Sequence, residues 1–318
     1  MTSLPAPSGS WLAGCPTALA SAYDAGLLDL DGVVYLGQDE IPGTAPALAA
    51  ARGLGMRMAF VTNNASRTPQ AVAAHLRDLG IPAAADEVAT AAQAAARVLR
   101  ERLPDGGRVL VVGGGGLVAA VSQAGFEVVT SADDRPAAVV LGYRSTTTYA
   151  DLAEAALAIR AGALWVAANR DATMPTPRGQ VPGTGALVAL LVEATGQMPI
   201  VAGKPELALH REAVARVGAQ RPLVVGDRLD TDIAGATAVG CDSLLVLTGV
   251  TSLADLRAAP PGLRPTYLSV DLSGLLRAHP RVDVSGAGAQ CVRLDDDVND
   301  GLDDARAAVA LAWARADG

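Results

Sequence analysis

The stretch Ala25-Gly26-Leu27-Leu28-Asp29-Leu30-Asp31-Gly32-Val33-Val34 decides how the whole chain is read. An apolar run ends in two carboxylates two positions apart, followed at once by a glycine. Side chains alternate faces along a strand, so residues 29 and 31 leave its end on the same side. Two like charges that close do not both ionise cheaply unless a cation stands between them. Such a pair can also divide the work, one carboxylate staying anionic while the other holds a proton. Asp-x-Asp-Gly alone also describes a loop with two solvated acids, so its surroundings decide.

Outward from this stretch, short apolar runs alternate with longer Ala/Leu-rich segments of helical period, the pattern of an α/β protein. Strands are expected over 25–29, 56–62, 109–112, 138–141, 164–167, 199–202, 223–225 and 243–247. Helices are expected over 42–54, 69–79, 86–101, 117–124, 149–161, 184–195, 206–217 and 231–238. Strand–helix–strand repetition implies a Rossmann-like, doubly wound parallel sheet that binds ligands beyond the carboxyl ends of its strands. Polar residues collect at four such ends: 29–32, 62–64, 203–205 and 226–232. The stretch from 83 to 197 carries elements of its own yet interrupts that set, as an inserted domain does. The expected organisation is a discontinuous core over 1–82 and 198–265, an inserted α/β cap over 83–197, and a short C-terminal extension over 266–318.

Each strand end suits phosphate chemistry. Thr62 and Asn63 offer neutral donors for phosphate oxygens, although a polar turn capping the next helix has the same composition. Lys204 is the only lysine, all other cations being arginines, which suggests a position needing a compact ammonium rather than a planar fork. Asp227, Asp230 and Asp232 follow another apolar run. Hard magnesium favours carboxylate oxygens, so Asp227 with the Asp29 pair makes a metal site.

Composition narrows the function further. With 25 basic and 33 acidic residues among 318, the net charge is −8, and no Lys/Arg block supplies a nucleic-acid footprint. The whole-protein field repels anions, so a phosphate-seeking site must be local and cation-assisted. Half the chain is hydrophobic and 18% charged, which fits buried cores rather than disorder. Cys15, Cys241 and Cys291 are scattered and odd in number, as in a reduced cytoplasmic protein. No apolar run reaches the ~18 residues that span a bilayer, and no cation precedes Arg52, so no secretory leader is read. The expected partner is a small phosphorylated metabolite, with neither nucleic acid nor membrane, and a homo-oligomer stays open.

Taken together, the runs 29–34 (DLDGVV), 60–67 (FVTNNASR), 202–205 (AGKP) and 224–236 (VVGDRLDTDIAGA) resemble the haloacid-dehalogenase superfamily of phosphatases. The resemblance covers residues 20–265 and is to the type with a large C2 cap between the second and third motifs, the p-nitrophenylphosphatase or NagD-like group. It implies a Mg2+-dependent phosphatase with Asp29 as nucleophile and Asp31 as general acid/base. Thr62 and Asn63 would hold the transferring phosphoryl group and Lys204 neutralise its charge. Magnesium would be held by the Asp29 and Asp227 carboxylates and the Asp31 main-chain carbonyl, with Asp232 assisting through water. The segment Ala168-Asn169-Arg170-Asp171 and residues 181–186 resemble the substrate-facing part of the cap, making Asn169 and Asp171 candidate substrate contacts. Arg170 stands where the family commonly has proline. Among substrates the resemblance favours glycerol 3-phosphate; phosphoglycolate, pyridoxal phosphate, nucleotides and sugar phosphates are the alternatives, as is a catalytically silent binding protein on the same fold.

Other signals are weaker. Gly114, Gly116 and Ala119 meet a relaxed G-x-G-x-x-A spacing, with Asp133 and Asp134 downstream, but a tight turn needs the same glycines. Residues 295–301 imitate a calcium loop, but positions six and twelve, Asp300 and Arg306, are wrong for it. A helix over 302–315 should bury Leu302, Ala305, Val309 and Trp313. The lone lysine precedes Pro205, which excludes a P-loop. His75, His210 and His279 read as structural or exposed.

Overall fold

The computed structural model describes residues 11–176, 178–285, 288–292 and 301–317. In chain order the first strands are β1 (Ala25–Leu28), β2 (Tyr35–Leu36), β3 (Asp39–Glu40), β4 (Arg57–Thr62), β5 (Val88–Thr90) and β6 (Arg108–Val112). They continue with β7 (Glu127–Val129), β8 (Ala138–Leu141), β9 (Leu164–Ala167), β10 (Thr173–Thr176), β11 (Gly179–Pro182) and β12 (Ile200–Val201). The last are β13 (Pro222–Gly226), β14 (Asp242–Val246), β15 (Tyr267–Ser269), β16 (Arg281–Ser285) and β17 (Gly288–Val292). Two compact units emerge from the contacts: residues up to Phe60 with Arg77–Pro82 and everything from Ala213, and Val61–Leu76 with Ala83–Glu212.

One sheet has the order β15-β14-β13-β1-β4-β5, with β1 parallel to both β13 and β4. The chain leaves β1 toward β4 and returns to β13 on β1's other side, so the direction of winding reverses between β1 and β13. That switch point is where doubly wound sheets open a crevice for ligands. Both strands are buried throughout, which is why they read as unbroken apolar runs rather than alternating ones. The other sheet, β12-β9-β8-β6-β7, is also parallel and packs Leu141, Ile159, Trp165, Val188 and Leu191 into its own core.

Several expectations change. The strand expected in the core at 199–202 is β12, and it pairs with β9 of the second sheet, Ile200 opposite Val166. The expected helix over 86–101 starts at Ala91 instead, after β5. Its end is fixed by a reciprocal cap, Gln93 N–H to Thr90 Oγ1 at 3.3 Å and Thr90 N–H to Gln93 Oε1 at 3.0 Å. The hairpins β2–β3, β10–β11 and β16–β17 were not foreseen. The core sheet also continues beyond residue 265, because β15 pairs with β14.

The helix expected over 302–315 runs Asp303–Asp317; Val309 and Trp313, with Leu302 just before it, are buried with Leu245 and Leu268 of the sheet, and Ala305 packs partly buried against them. Arg264 is held there between two indole rings, 4.5 Å from the Trp11 centroid and 5.0 Å from that of Trp313. It also pairs with Asp317, while Trp313 Nε1 donates to Leu256 O at 2.9 Å. The calcium-like stretch 295–300, the first ten residues and the Cys291 side chain lie outside what is described. His210 and His279 are buried, and a His279 ring nitrogen bonds Gly274 O at 2.8 Å.

The glycine-rich turn at 113–116 serves close packing. Gly116 N–H donates to Ser66 O at 2.9 Å, and a Cβ on Gly116 would lie 2.4 Å from Arg67 O. Protein carbonyls stand where a dinucleotide phosphate would have to approach. No described helix is long and apolar enough to cross a membrane.

Candidate active site

The ladder of β1 runs one residue past the strand: Asp29 N–H donates to Val225 O at 2.9 Å. The chain then turns sharply, with Leu30 O accepting from the N–H groups of Val33, Val34 and Tyr35, and Gly32 N–H donating to Tyr35 O at 2.9 Å. Gly32 has φ +90°, and a Cβ there would lie 2.6 Å from Asp227 Oδ2, so both backbone and space demand glycine. Leu30 is buried, Asp29 half-buried and Asp31 exposed.

Asp227 follows β13 and is fully buried. The loop after β14 holds it: Val250 N–H donates to Asp227 Oδ2 at 2.7 Å and Thr251 N–H to its main-chain oxygen at 3.2 Å. A Cβ on Gly249 would come within 2.0 Å of the same Oδ2. Thr248 Oγ1 reaches across to Gly32 O at 2.6 Å, joining this loop to the Asp29 turn.

Where a regular helix over 231–238 was expected, Leu229–Ile233 forms one wide π-turn and the α-helix begins only at Ala234. Such turns concentrate at functional sites. Here it directs Asp232 back toward β13, Oδ2 accepting from Arg228 N–H at 3.1 Å. A Cβ on Gly226 would lie 2.2 Å from Asp232 Cβ, so the approach again depends on glycine. Asp230 stays outside this arrangement in an ion pair with Arg228.

The result is a cluster: ligand oxygens of Asp29, Asp227 and Asp232 lie within 4.8 Å of one another, with two of the residues buried. At ~5 Å and an effective dielectric of ~20, each pair of anions repels by about 3 kcal/mol. Backbone N–H donors offset part of that cost, and a hard divalent cation removes it. Three carboxylates at a switch point, with room kept by glycines, fit such an ion. The Asp31 side chain is not among them.

The other predicted residues meet in the second unit, around the Asn63 amide. Asn63 Oδ1 accepts Lys204 N–H at 2.8 Å, and Nδ2 donates to Lys204 O at 3.2 Å and to the Asp171 carboxylate at 3.2 and 3.3 Å. Asn169 Nδ2 donates to Asn63 O at 2.7 Å. Asn63, Lys204, Asn169 and Asp171 therefore form one hydrogen-bonded group, with Asn169 and Lys204 buried and Arg170 exposed. Thr62 is buried and its Oγ1 accepts Asn64 N–H at 3.1 Å.

Sequence reasoning missed the bridging role of the Asn63 side chain, the loop 248–251 and the environment of His210. That imidazole is wholly buried, and burial, assisted by the Lys204 charge, pushes its pKa down to about 3. The Thr248-Gly249 pair directly after a strand was a legible signal for the loop. His210 had none.

Comparison with known proteins gives the family. Residues 26–127 match the family described as haloacid dehalogenase-like hydrolase, and residues 201–275 a second described as HAD-hydrolase-like. The chain belongs to the haloacid dehalogenase-like hydrolases. It is 49% identical to D-glycerol 3-phosphate phosphatase of Mycobacterium tuberculosis over 93% of this chain and 87% of the relative. It is 38% identical to the acid sugar phosphatase of Staphylococcus aureus over 79% and 96%. Among solved structures, the M. tuberculosis glycerol phosphate phosphatase in complex with magnesium superposes with a TM-score of 0.86 at 47% identity, covering 94% of this chain and 92% of that one. A p-nitrophenyl phosphatase from Archaeoglobus fulgidus gives 0.74 at 31% identity, over 80% and 98%.

Proposed function

We propose that this chain is a magnesium-dependent phosphatase that hydrolyses a small phosphate monoester, glycerol 3-phosphate first among candidates, by way of a phosphorylated Asp29. The observation that carries this reading is the cluster of Asp29, Asp227 and Asp232 within 4.8 Å at the reversal of strand order. Those carboxylates, with the Asp31 carbonyl, are the proposed ligands. Magnesium held there would supply positive charge to the phosphoryl oxygens.

The chain's own groups account for the rest. The Asp29 carboxylate attacks phosphorus and the ester oxygen departs with a proton from Asp31. Asp31, now anionic, takes a proton from the water that attacks the acyl phosphate, which releases phosphate and restores Asp29. Its exposure suits a group that exchanges protons with leaving group and water in turn. Thr62 and the Asn63 main chain bind phosphoryl oxygens, since the Asn63 side chain is engaged elsewhere. Lys204 neutralises charge there. We assign the second sheet, with β12 as its edge, to a C2-type cap, the first sheet, β15 included, to the catalytic core, and the enzyme to the cytoplasm.

Turnover of p-nitrophenyl phosphate that depends on magnesium, followed by kcat/KM across a panel of phosphate monoesters, tests the reading. No magnesium-dependent hydrolysis of any member would refute it. A sugar phosphate is the second reading, favoured by the 38% identity to an acid sugar phosphatase. A panel led by that class would decide for it.

A further inference from the structure

We infer that Asp171 is a positioning residue that acts through Asn63 on Lys204, rather than a contact to the substrate. This rests on the phosphatase reading above, which gives Lys204 its task.

One side-chain amide grips both polar groups of the Lys204 peptide, accepting from its N–H at 2.8 Å and donating to its C=O at 3.2 Å. An amide can do this only one way round, because the peptide N–H cannot accept and the peptide oxygen cannot donate. Asp171 enforces that orientation. Its carboxylate oxygens lie 3.2 and 3.3 Å from Asn63 Nδ2, and an ionised carboxylate only accepts. The two Nδ2 hydrogens are thus assigned, one to Lys204 O and one shared by the carboxylate.

The surroundings are shaped to hold this contact. Gly203 brings the lysine peptide close: a Cβ there would lie 2.6 Å from Asn63 Oδ1 and 2.5 Å from Ala168 O. Asn169 secures both ends, its Nδ2 donating to Asn63 O at 2.7 Å and its Oδ1 accepting Asp171 N–H at 3.1 Å. Gly185 N–H fixes the Asp171 carbonyl at 2.8 Å, and a Cβ on Gly183 would collide with that oxygen at 2.3 Å. The backbone that carries the Asp171 carboxylate to Asn63 is therefore held on both its N–H and its C=O.

The test uses Asp171→Asn, Asp171→Ala, Asn63→Asp and the reciprocal swap Asn63→Asp/Asp171→Asn in the full chain, with thermal melting to confirm folding. Positioning predicts that Asp171→Asn lowers kcat by ~10–100-fold, by the same factor for p-nitrophenyl phosphate and every metabolite tested. Retained p-nitrophenyl phosphate turnover with a reordered substrate ranking would overturn it in favour of substrate contact. The swap restores a donor–acceptor pair between positions 63 and 171, so its kcat should exceed that of Asn63→Asp by ~10-fold; strictly additive losses would overturn the coupling. Lys204 gives a readout independent of catalysis. As the only lysine, buried in the wild type, it should react several-fold faster with trinitrobenzene sulfonate in Asp171→Asn, located by peptide mapping. Unchanged labelling would also overturn the inference. If the wild type hydrolyses no phosphate ester, the phosphatase reading fails by itself, and labelling still decides the positioning. Should Asp171→Ala not fold, the near-isosteric Asp171→Asn carries all three measurements.

Discussion

Asp29 and Asp31 are two positions apart yet stand in unlike surroundings, Asp29 half-buried among carboxylates and Asp31 exposed in the turn just before Gly32. The difference predicts different failures. Asp29→Asn should lower turnover by on the order of 10⁴-fold or more, the scale of losing a nucleophile, with circular dichroism unchanged; a folded variant at wild-type rate would contradict nucleophilic attack. Asp31→Asn should discriminate by leaving group. Nitrophenolate departs without a proton and an alkoxide does not, so the variant should phosphorylate itself from p-nitrophenyl phosphate and then stall. Rapid-quench measurement showing equal losses of the phosphorylation step for aryl and alkyl esters would argue against the acid/base role. Asp29 was legible as an acid at the end of an apolar run, but alternation along a strand does not describe the pair: β1 stops at Leu28, and Asp31 stands exposed in the turn that follows, apart from the carboxylate cluster. The group around Asn63 was legible only as separate polar residues: Asn63 is more than 100 positions from Asn169, Asp171 and Lys204 alike, and no local pattern records that they meet.

Elements tell a similar story. β1 and β13 read correctly since both faces are buried and the runs are wholly apolar. The strand at 200–201 read correctly as a strand, but pairing with β9 rather than the core is decided by partners distant in sequence. The π-turn was invisible because its residues also suit an ordinary helix start. Glycine is where element geometry meets chemistry. Gly249 keeps the loop after β14 close enough for Val250 N–H to reach Asp227. A methyl group there must displace either the loop or the carboxylate. Gly249→Ala should therefore raise the magnesium concentration for half-maximal activity by ~10-fold, typical of disturbing a ligand's support. An unchanged magnesium titration would show that the loop does not set the geometry of Asp227.

For the molecule as a whole, acid is the revealing perturbation. The buried His210 stays neutral down to about 3, whereas the same side chain in the unfolded chain takes up a proton near its ordinary 6.5. The unfolded state then binds more protons, so stability falls as pH drops from 6.5 toward 3 and is unaffected by this group above that window. His210→Leu should show a shallower fall in Tm between pH 6.5 and 4; parallel curves would mean His210 does not titrate as described. Asp151, Asp255 and Asp317, held below the ordinary 3.8 chiefly by hydrogen bonds, remain in both proteins, so the difference isolates the histidine. The Arg264 clasp has a consequence of another kind. The chain has three tryptophans: Trp11 and Trp313 flank one guanidinium in the unit with the carboxylate cluster, while Trp165 is buried in the other unit. Intrinsic fluorescence is thus already partitioned. In Trp165→Phe, emission reports only on the unit in which Trp11 and Trp313 meet. With Trp11 and Trp313 replaced instead, it reports only on the half that carries Lys204, so the two can be watched separately as they melt.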